Sequence, residues 1–217
     1  VVALQLNRPF ATVTPTLDGD VLAVLALGEM TFTISQIQRV LTNASVEGIR
    51  KVLARLTVQG VVLHDQVSRT HTYRLNTEHL AAEPIQALSR LTATFLERLE
   101  MQLEGWAEAP KYAAVFGSAA TGLMTLDSDI DLFLVRAASA EHADDEGESE
   151  AWEQQVAELA RSITAWTGND GRIVEYTEND LRTAAAAGEP LLNEVAKQGL
   201  TVAGTRSWLN RQIPRRS

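Results

Sequence analysis

The apolar positions change period along the chain, and each change marks an element. From Leu17 they recur at helical spacing. Val21, Leu22, Val24 and Leu25 define one short helix, with Gly28 as its expected stop. Thr33 or Ser35 is placed to cap a second helix over Ile34–Leu41. A third starts near Ser45, where Ile49, Val52, Leu53 and Leu56 fall at i, i+3, i+4 and i+7, and Gly60 ends it. The period then drops to two: Val61–Gln66 and His71–Leu75 alternate around Val67-Ser68-Arg69-Thr70, the pattern of a hairpin. Residues 1–16, with three Thr and two Pro, read as an arm or short edge strand.

Residues 78–108 predict one long helix, Pro84 suiting its first turn and Pro110 ending the pattern. Its stripe of Ile85, Leu88, Leu91, Phe95, Leu99, Leu103 and Trp106 suits packing on its own chain or pairing with a second copy in a homodimer. Lys111–Phe116 then reads as a short strand, with Tyr112–Phe116 an unbroken apolar or aromatic run, ended by Gly117-Ser118. Residues 137–150 form an acidic, low-complexity loop. Trp152, Val156, Leu159, Ile163 and Trp166 mark a helix over Ala151–Gly168, and Arg172–Thr177 a further strand. Helical segments follow around Leu181–Ala187 and Pro190–Gln198, then a short strand at Leu200–Ala203 and a basic tail over 206–217 that is expected to fray.

The chemistry concentrates between residues 116 and 135. In Asp127-Ser128-Asp129-Ile130-Asp131-Leu132-Phe133-Leu134 the alternation sets Asp129 and Asp131 on one side of a strand, with Cβ atoms roughly 6–7 Å apart. Two acids this close repel unless a cation sits between them, and a hard divalent ion with oxygen ligands is the natural occupant. Asp127 reads as a cap of the preceding turn.

The stretch Phe116-Gly117-Ser118-Ala119-Ala120-Thr121-Gly122, followed by Asp129-x-Asp131, resembles the nucleotidyltransferase superfamily that includes DNA polymerase β and the minimal nucleotidyltransferases. Gly117, Ser118, Ser128, Asp129, Asp131 and Gly122 match its pattern; Thr121 stands where many minimal members carry Arg. The resemblance implies Mg2+ (or Mn2+) held by Asp129 and Asp131, with a nucleoside triphosphate as substrate. It implies Gly117 and Ser118 against the phosphates, and Ser128 beside the nucleotide. It further implies a third acid on a neighbouring strand, for which Glu175 is the only carboxylate within Arg172–Thr177.

Residues 1–80 resemble a winged helix-turn-helix, three short helices closed by a hairpin. That resemblance implies contact with duplex DNA through the third helix (Arg50, Lys51, Arg55) and the hairpin (Arg69, His71, Arg74). The fold class that follows is α+β: a winged helix over 1–80, a connecting helix over 81–110, and a polymerase β-like domain with a small mixed sheet over 111–205, before the tail.

Charge sharpens this division. Residues 1–80 hold seven Lys and Arg against six Asp and Glu, a balance of +1; residues 81–217 hold twelve against twenty-two, a balance of −10. An acidic C-terminal half lacks the basic groove a template strand needs, which argues against a polymerase. With no cysteine, the chain has neither disulfides nor thiolate metal sites. No run of eighteen apolar residues is present, so no membrane span is expected and a cytoplasmic location fits. His64, His71, His79 and His142 are too scattered in sequence to predict a metal cluster. Two functions compete: a nucleotidyltransferase acting on a protein, RNA or small molecule, and a non-catalytic DNA-binding regulator that uses the same fold as a nucleotide sensor or dimerisation platform.

Overall fold

The computed structural model describes residues 3–28, 30–137 and 146–213. It divides into two compact units, Arg8–Thr92 and the combination of Val1–Asn7 with Ala93–Ser217.

In the Arg8–Thr92 unit, a single 3-10 turn at Pro9–Thr12 buries Phe10. Helix α1 spans Leu17–Leu25 and ends at Ala26, before the expected Gly28; Ala26 N still bonds the Leu22 carbonyl four residues back, whereas Leu27 N bonds the Val24 carbonyl three back, a tightened last turn. Helix α2 (Ile34–Val40) starts with a reciprocal capping box between Thr33 and Gln36. Helix α3 (Val46–Val58) is capped by Ser45, whose hydroxyl accepts from Gly48 N at 3.0 Å. Strands β1 (Val62–Val67) and β2 (Thr70–Leu75) pair antiparallel around Ser68-Arg69, with Ser68 at φ 58°. The predicted stripe of Ile49, Val52, Leu53 and Leu56 is buried, joining Val21, Leu25, Ile37, Val62 and Leu75 in one core. Each such side chain contributes about 1.5–3 kcal/mol of burial.

The long helix expected over 78–108 is two helices, α4 (Ala82–Ser89) and α5 (Leu91–Glu104). No Gly or Pro marks the break. The Ser89 hydroxyl donates back to the Gln86 carbonyl at 2.7 Å, and Arg90 N closes on the Ala87 carbonyl, tightening the last turn so that the helix stops.

The second unit is built on a four-stranded mixed sheet. Its order is β5-β4-β3-β6, with β3 Tyr112–Phe116, β4 Ile130–Arg136, β5 Gly171–Thr177 and β6 Leu200–Ala203. β3 runs antiparallel to both β4 and β6, whereas β4 and β5 are parallel. A parallel pair requires a crossover, supplied by helix α7 (Glu146–Thr167). That helix starts five residues before the expected Ala151. The predicted acidic loop over 137–150 otherwise falls mostly outside the described residues. Between β3 and β4 lies the four-residue helix α6 (Ser118–Thr121). One sheet face, carrying Tyr112, Phe133 and Val135, is covered by α8 (Glu178–Ala187), α9 (Pro190–Gln198) and α10 (Arg206–Gln212). On the other face Ala113, Val115, Leu132 and Leu134 are equally buried.

Both chain ends depart from expectation. Residues 3–7 form no strand; Leu4 N donates to the Thr167 carbonyl and Asn7 Nδ2 to the Gly122 carbonyl, at 2.9 Å each. The expected frayed tail is instead α10, capped by Thr205, with Leu209 fully buried and Trp208 stacked on Tyr112; residues 214–217 lie outside the described residues. An apolar i, i+1 pair in a short basic segment has enough area to dock where a fully polar one does not.

Candidate active site

The geometry begins with the five buried residues of β3, which fix where the chain must turn. At the turn Gly117 adopts φ 68° and ψ −146°, a conformation that side chains disfavour. Its register neighbour Phe116 pairs with Asp131. A Cβ on Gly117 would stand 2.7 Å from Asp131 Oδ2. Glycine is therefore required twice over: by the backbone, and by the carboxylate lodged against it.

Asp131 is partly buried and its carboxyl is raised above the usual carboxylate value. Burial is the main cause, the nearby Asp129 charge adds to it, Arg172 opposes it, and Glu194 on α9 adds a smaller push. Asp129, just before β4, pairs with Arg172 at the start of β5, Nη2 to Oδ2 at 2.8 Å. The backbone around Asp129 is clamped on both sides: Asn169 Nδ2 donates to the Ser128 carbonyl at 2.8 Å, and Ile130 N donates to the Asp170 carbonyl at 2.9 Å. Asn169 is almost completely buried.

The other expected site residues take different positions. Ser118 opens α6 and its carbonyl accepts from Leu123 N. Thr121 turns its hydroxyl back to the Gly117 carbonyl at 3.1 Å, and α6, with neither Lys nor Arg, presents no cation. Ser128, and not Asp127, closes the turn: its hydroxyl accepts from Thr125 N at 2.9 Å. That engagement ties Ser128 to the loop.

Glu175 does not join the aspartates. In the parallel register Asp131 faces Arg172 and Leu134 faces Glu175, so Glu175 lies on the opposite side of the sheet. There its Oε2 accepts from Trp152 Nε1 at 2.6 Å. Trp152 in turn stacks under the Arg136 guanidinium and meets the edge of Trp106. The face of β5 turned toward Asp131 carries Arg172, Val174 and Tyr176, and no carboxylate. Sequence reasoning, searching for acids, passed over Arg172; its parity with Val174 and Tyr176 was visible, but the register that brings it to Asp131 was not. Glu194 and Asn169 carry no local signal.

Among the described residues no group of three or more His, Asp or Glu is placed to hold a metal ion. Asp129 and Asp131 nonetheless fit Mg2+, which is held by one or two carboxylates together with substrate phosphates. The space left by the missing Cβ of Gly117, which seats the Asp131 carboxylate, supports that fit.

Residues 97–167 match the family of the nucleotidyltransferase domain. The matched span runs from within α5 to the end of α7, and so includes Gly117, Asp129 and Asp131 but neither β5 nor the Arg8–Thr92 unit. No curated protein matches the chain. Among solved structures, the chain is similar to a toxin-antitoxin crystallised with AMP-PNP, at 21% identity and TM-score 0.36, over 54% of this chain and 79% of that one. A mutant of the toxin-antitoxin MntA-HpeT is similar at 20% identity and TM-score 0.36, with the same coverage.

The cations expected to meet DNA divide into two groups. Arg50 pairs with Glu47 at 2.5 Å, Arg55 with Asp18, and Arg74 with Asp65 at 3.7 Å. Lys51 and Arg69 are exposed and form no ion pair among the described residues. The hairpin also brings together two of the histidines that look scattered in sequence: His64 Nε2 and His71 Nδ1 share a 2.8 Å hydrogen bond, and His64 also stacks on Tyr73. Cross-strand pairing makes neighbours of residues seven apart.

Proposed function

We propose that the chain is a Mg2+-dependent nucleotidyltransferase that moves a nucleoside monophosphate from a nucleoside triphosphate to an acceptor hydroxyl: the hydroxyl oxygen, losing its proton, bonds to the α-phosphorus as the bond to the β-phosphate oxygen breaks and pyrophosphate leaves. The observation that supports the reading most is the interlock of Gly117 and Asp131, in which the missing Cβ leaves room for the carboxylate beside the turn. Asp129 and Asp131 would hold the ion, which supplies charge stabilisation on the phosphate oxygens and a more acidic attacking hydroxyl. The remaining work belongs to the chain. Gly117 leaves the backbone open to close approach by phosphates. Asn169 and Asp170 hold the Asp129 backbone still, so the first carboxylate needs no reordering when substrate arrives. The raised Asp131 carboxyl marks a position where negative charge is uncomfortable until a cation arrives.

The proposed function extends to the Arg8–Thr92 unit as a winged helix that meets duplex DNA through α3 and the hairpin, with Lys51 and Arg69 as its available cations. A cytoplasmic location suits both activities.

A second reading, the non-catalytic regulator, draws support from one observation: β5 offers no third acid to the site. Calorimetric titration of NTP with Mg2+, followed by incubation of labelled NTP with cell extract, separates the two. Catalysis requires NTP binding that is lost in the Asp129→Asn, Asp131→Asn double variant, together with label transfer to an acceptor. Binding without transfer supports the sensor. Equal NTP affinity in both proteins sinks the site itself.

A further inference from the structure

The ion pair between Arg172 and Asp129 joins two unequal partners. The arginine side chain is 69% exposed and the aspartate 24%, so the guanidinium is the member free to leave. An exposed pair of this kind is weak. A divalent ion between Asp129 and Asp131 offers each carboxylate a stronger partner at shorter range and makes the arginine superfluous there. The triphosphate that accompanies such an ion carries several negative charges and needs donors beyond the metal. The adjacent helix α6, Ser118–Thr121, contains neither Lys nor Arg and so supplies no cation. Arg172 begins β5 in register with Asp131, on the same sheet face. Its planar fork suits bidentate contact with phosphate oxygens.

We propose that Arg172 is an exchangeable cation: it neutralises Asp129 in the free protein and swings to the triphosphate when a divalent ion takes the aspartates. The inference rests on the nucleotidyltransferase reading above and deepens it by naming the phosphate-binding residue. It also makes Arg172 a competitor of the metal, so its removal has effects of opposite sign on two affinities.

The test uses the full chain in three forms, wild type, Arg172→Ala and Arg172→Lys, with Mn2+ as the paramagnetic probe and a non-hydrolysable ATP analogue as the nucleotide. Mn2+ alone, followed by electron paramagnetic resonance, should bind Arg172→Ala about threefold more tightly than wild type, the scale of a lost surface ion pair. The Mn2+–nucleotide complex, followed by calorimetry, should bind the same variant roughly tenfold more weakly, the scale of a lost charge-assisted contact. Arg172→Lys should fall between, because it keeps the charge and loses the fork. Changes of the same sign, or no change in either affinity, overturn the exchange. Failure of wild type to bind Mn2+ at all, or binding undiminished in the Asp129→Asn, Asp131→Asn double variant, overturns the underlying reading and the exchange with it. Only that second result involves the aspartates, so the two failures are distinguishable.

Discussion

At Asp131 function and stability pull in opposite directions. A carboxyl whose value is raised in the folded protein binds its proton more tightly there than in the unfolded chain. Its contribution to folding is therefore whole below the ordinary carboxylate value of 3.8 and is lost as pH rises through the raised one. In metal-free protein at neutral pH the ionised Asp131 weakens the fold. Asp131→Asn should accordingly raise the melting temperature at pH 7 in the presence of chelator, and the difference should disappear in acid. Thermal melts of both proteins across pH would check this, and a variant less stable than wild type at pH 7 would contradict it. What was legible at this scale was local. Gly117, Asp129 and Asp131 stand in a short motif whose period-two geometry follows from the strand itself. Thr121 was legible only as a departure from the motif; the direction of its hydroxyl depends on the turn of α6 and emerged only in three dimensions.

Elements bring in register, and register is where the sequence reading of the site failed. Within β5 the alternation of Ile173 and Glu175 against Val174 and Tyr176 is plain, but the set that faces the aspartates is decided by the pairing of Asp131 with Arg172 across two strands separated by a long helix. A shift by one residue would exchange the faces. With the observed register, Glu175 belongs to the Trp152 contact. Glu175→Gln is therefore expected to leave NTP binding and turnover unchanged while costing about 1 kcal/mol of stability, since an uncharged acceptor replaces a charged one beneath the indole. Steady-state kinetics beside urea denaturation would reveal the split. A large fall in turnover at unchanged stability would return Glu175 to the chemistry. The break between α4 and α5 is a second feature of this scale. It comes from a serine back-bond and a tightened turn, which leave no Gly or Pro to read.

For the whole molecule, charge counted along the sequence overstates what is available for binding. The Arg8–Thr92 unit carries five of its eight Lys and Arg on α3 and the hairpin, yet Arg50, Arg55 and Arg74 each have an acid partner of their own. If this unit meets duplex DNA, Lys51→Ala and Arg69→Ala should each flatten the dependence of log affinity on log salt by roughly one phosphate contact. Arg74→Ala should change it less. Fluorescence anisotropy over a salt series would measure the slopes; identical slopes in all variants would assign the surface to a protein partner. Here the broad plan was readable, helices and hairpin first and the mixed sheet after, because each element carries its own period. The assignment of residues 3–7 was not, since it rests on hydrogen bonds from Leu4 N, Leu6 N and the Asn7 side chain to residues more than a hundred positions away.

Those few residues change how the chain can be cut. Residues 3–7 belong to the sheet-containing unit, which the chain leaves after Asn7 and rejoins at Ala93. The helical unit is thus an insertion in another domain's connectivity, not a bead at one end of a string. Asn7 holds the carbonyl of Gly122, the residue that closes the loop between Gly117 and the aspartates. A conventional truncation that discards everything before the connecting helices would also remove this brace. A faithful excision joins residue 7 to residue 93 through a designed bridge and leaves residues 3–7 in place.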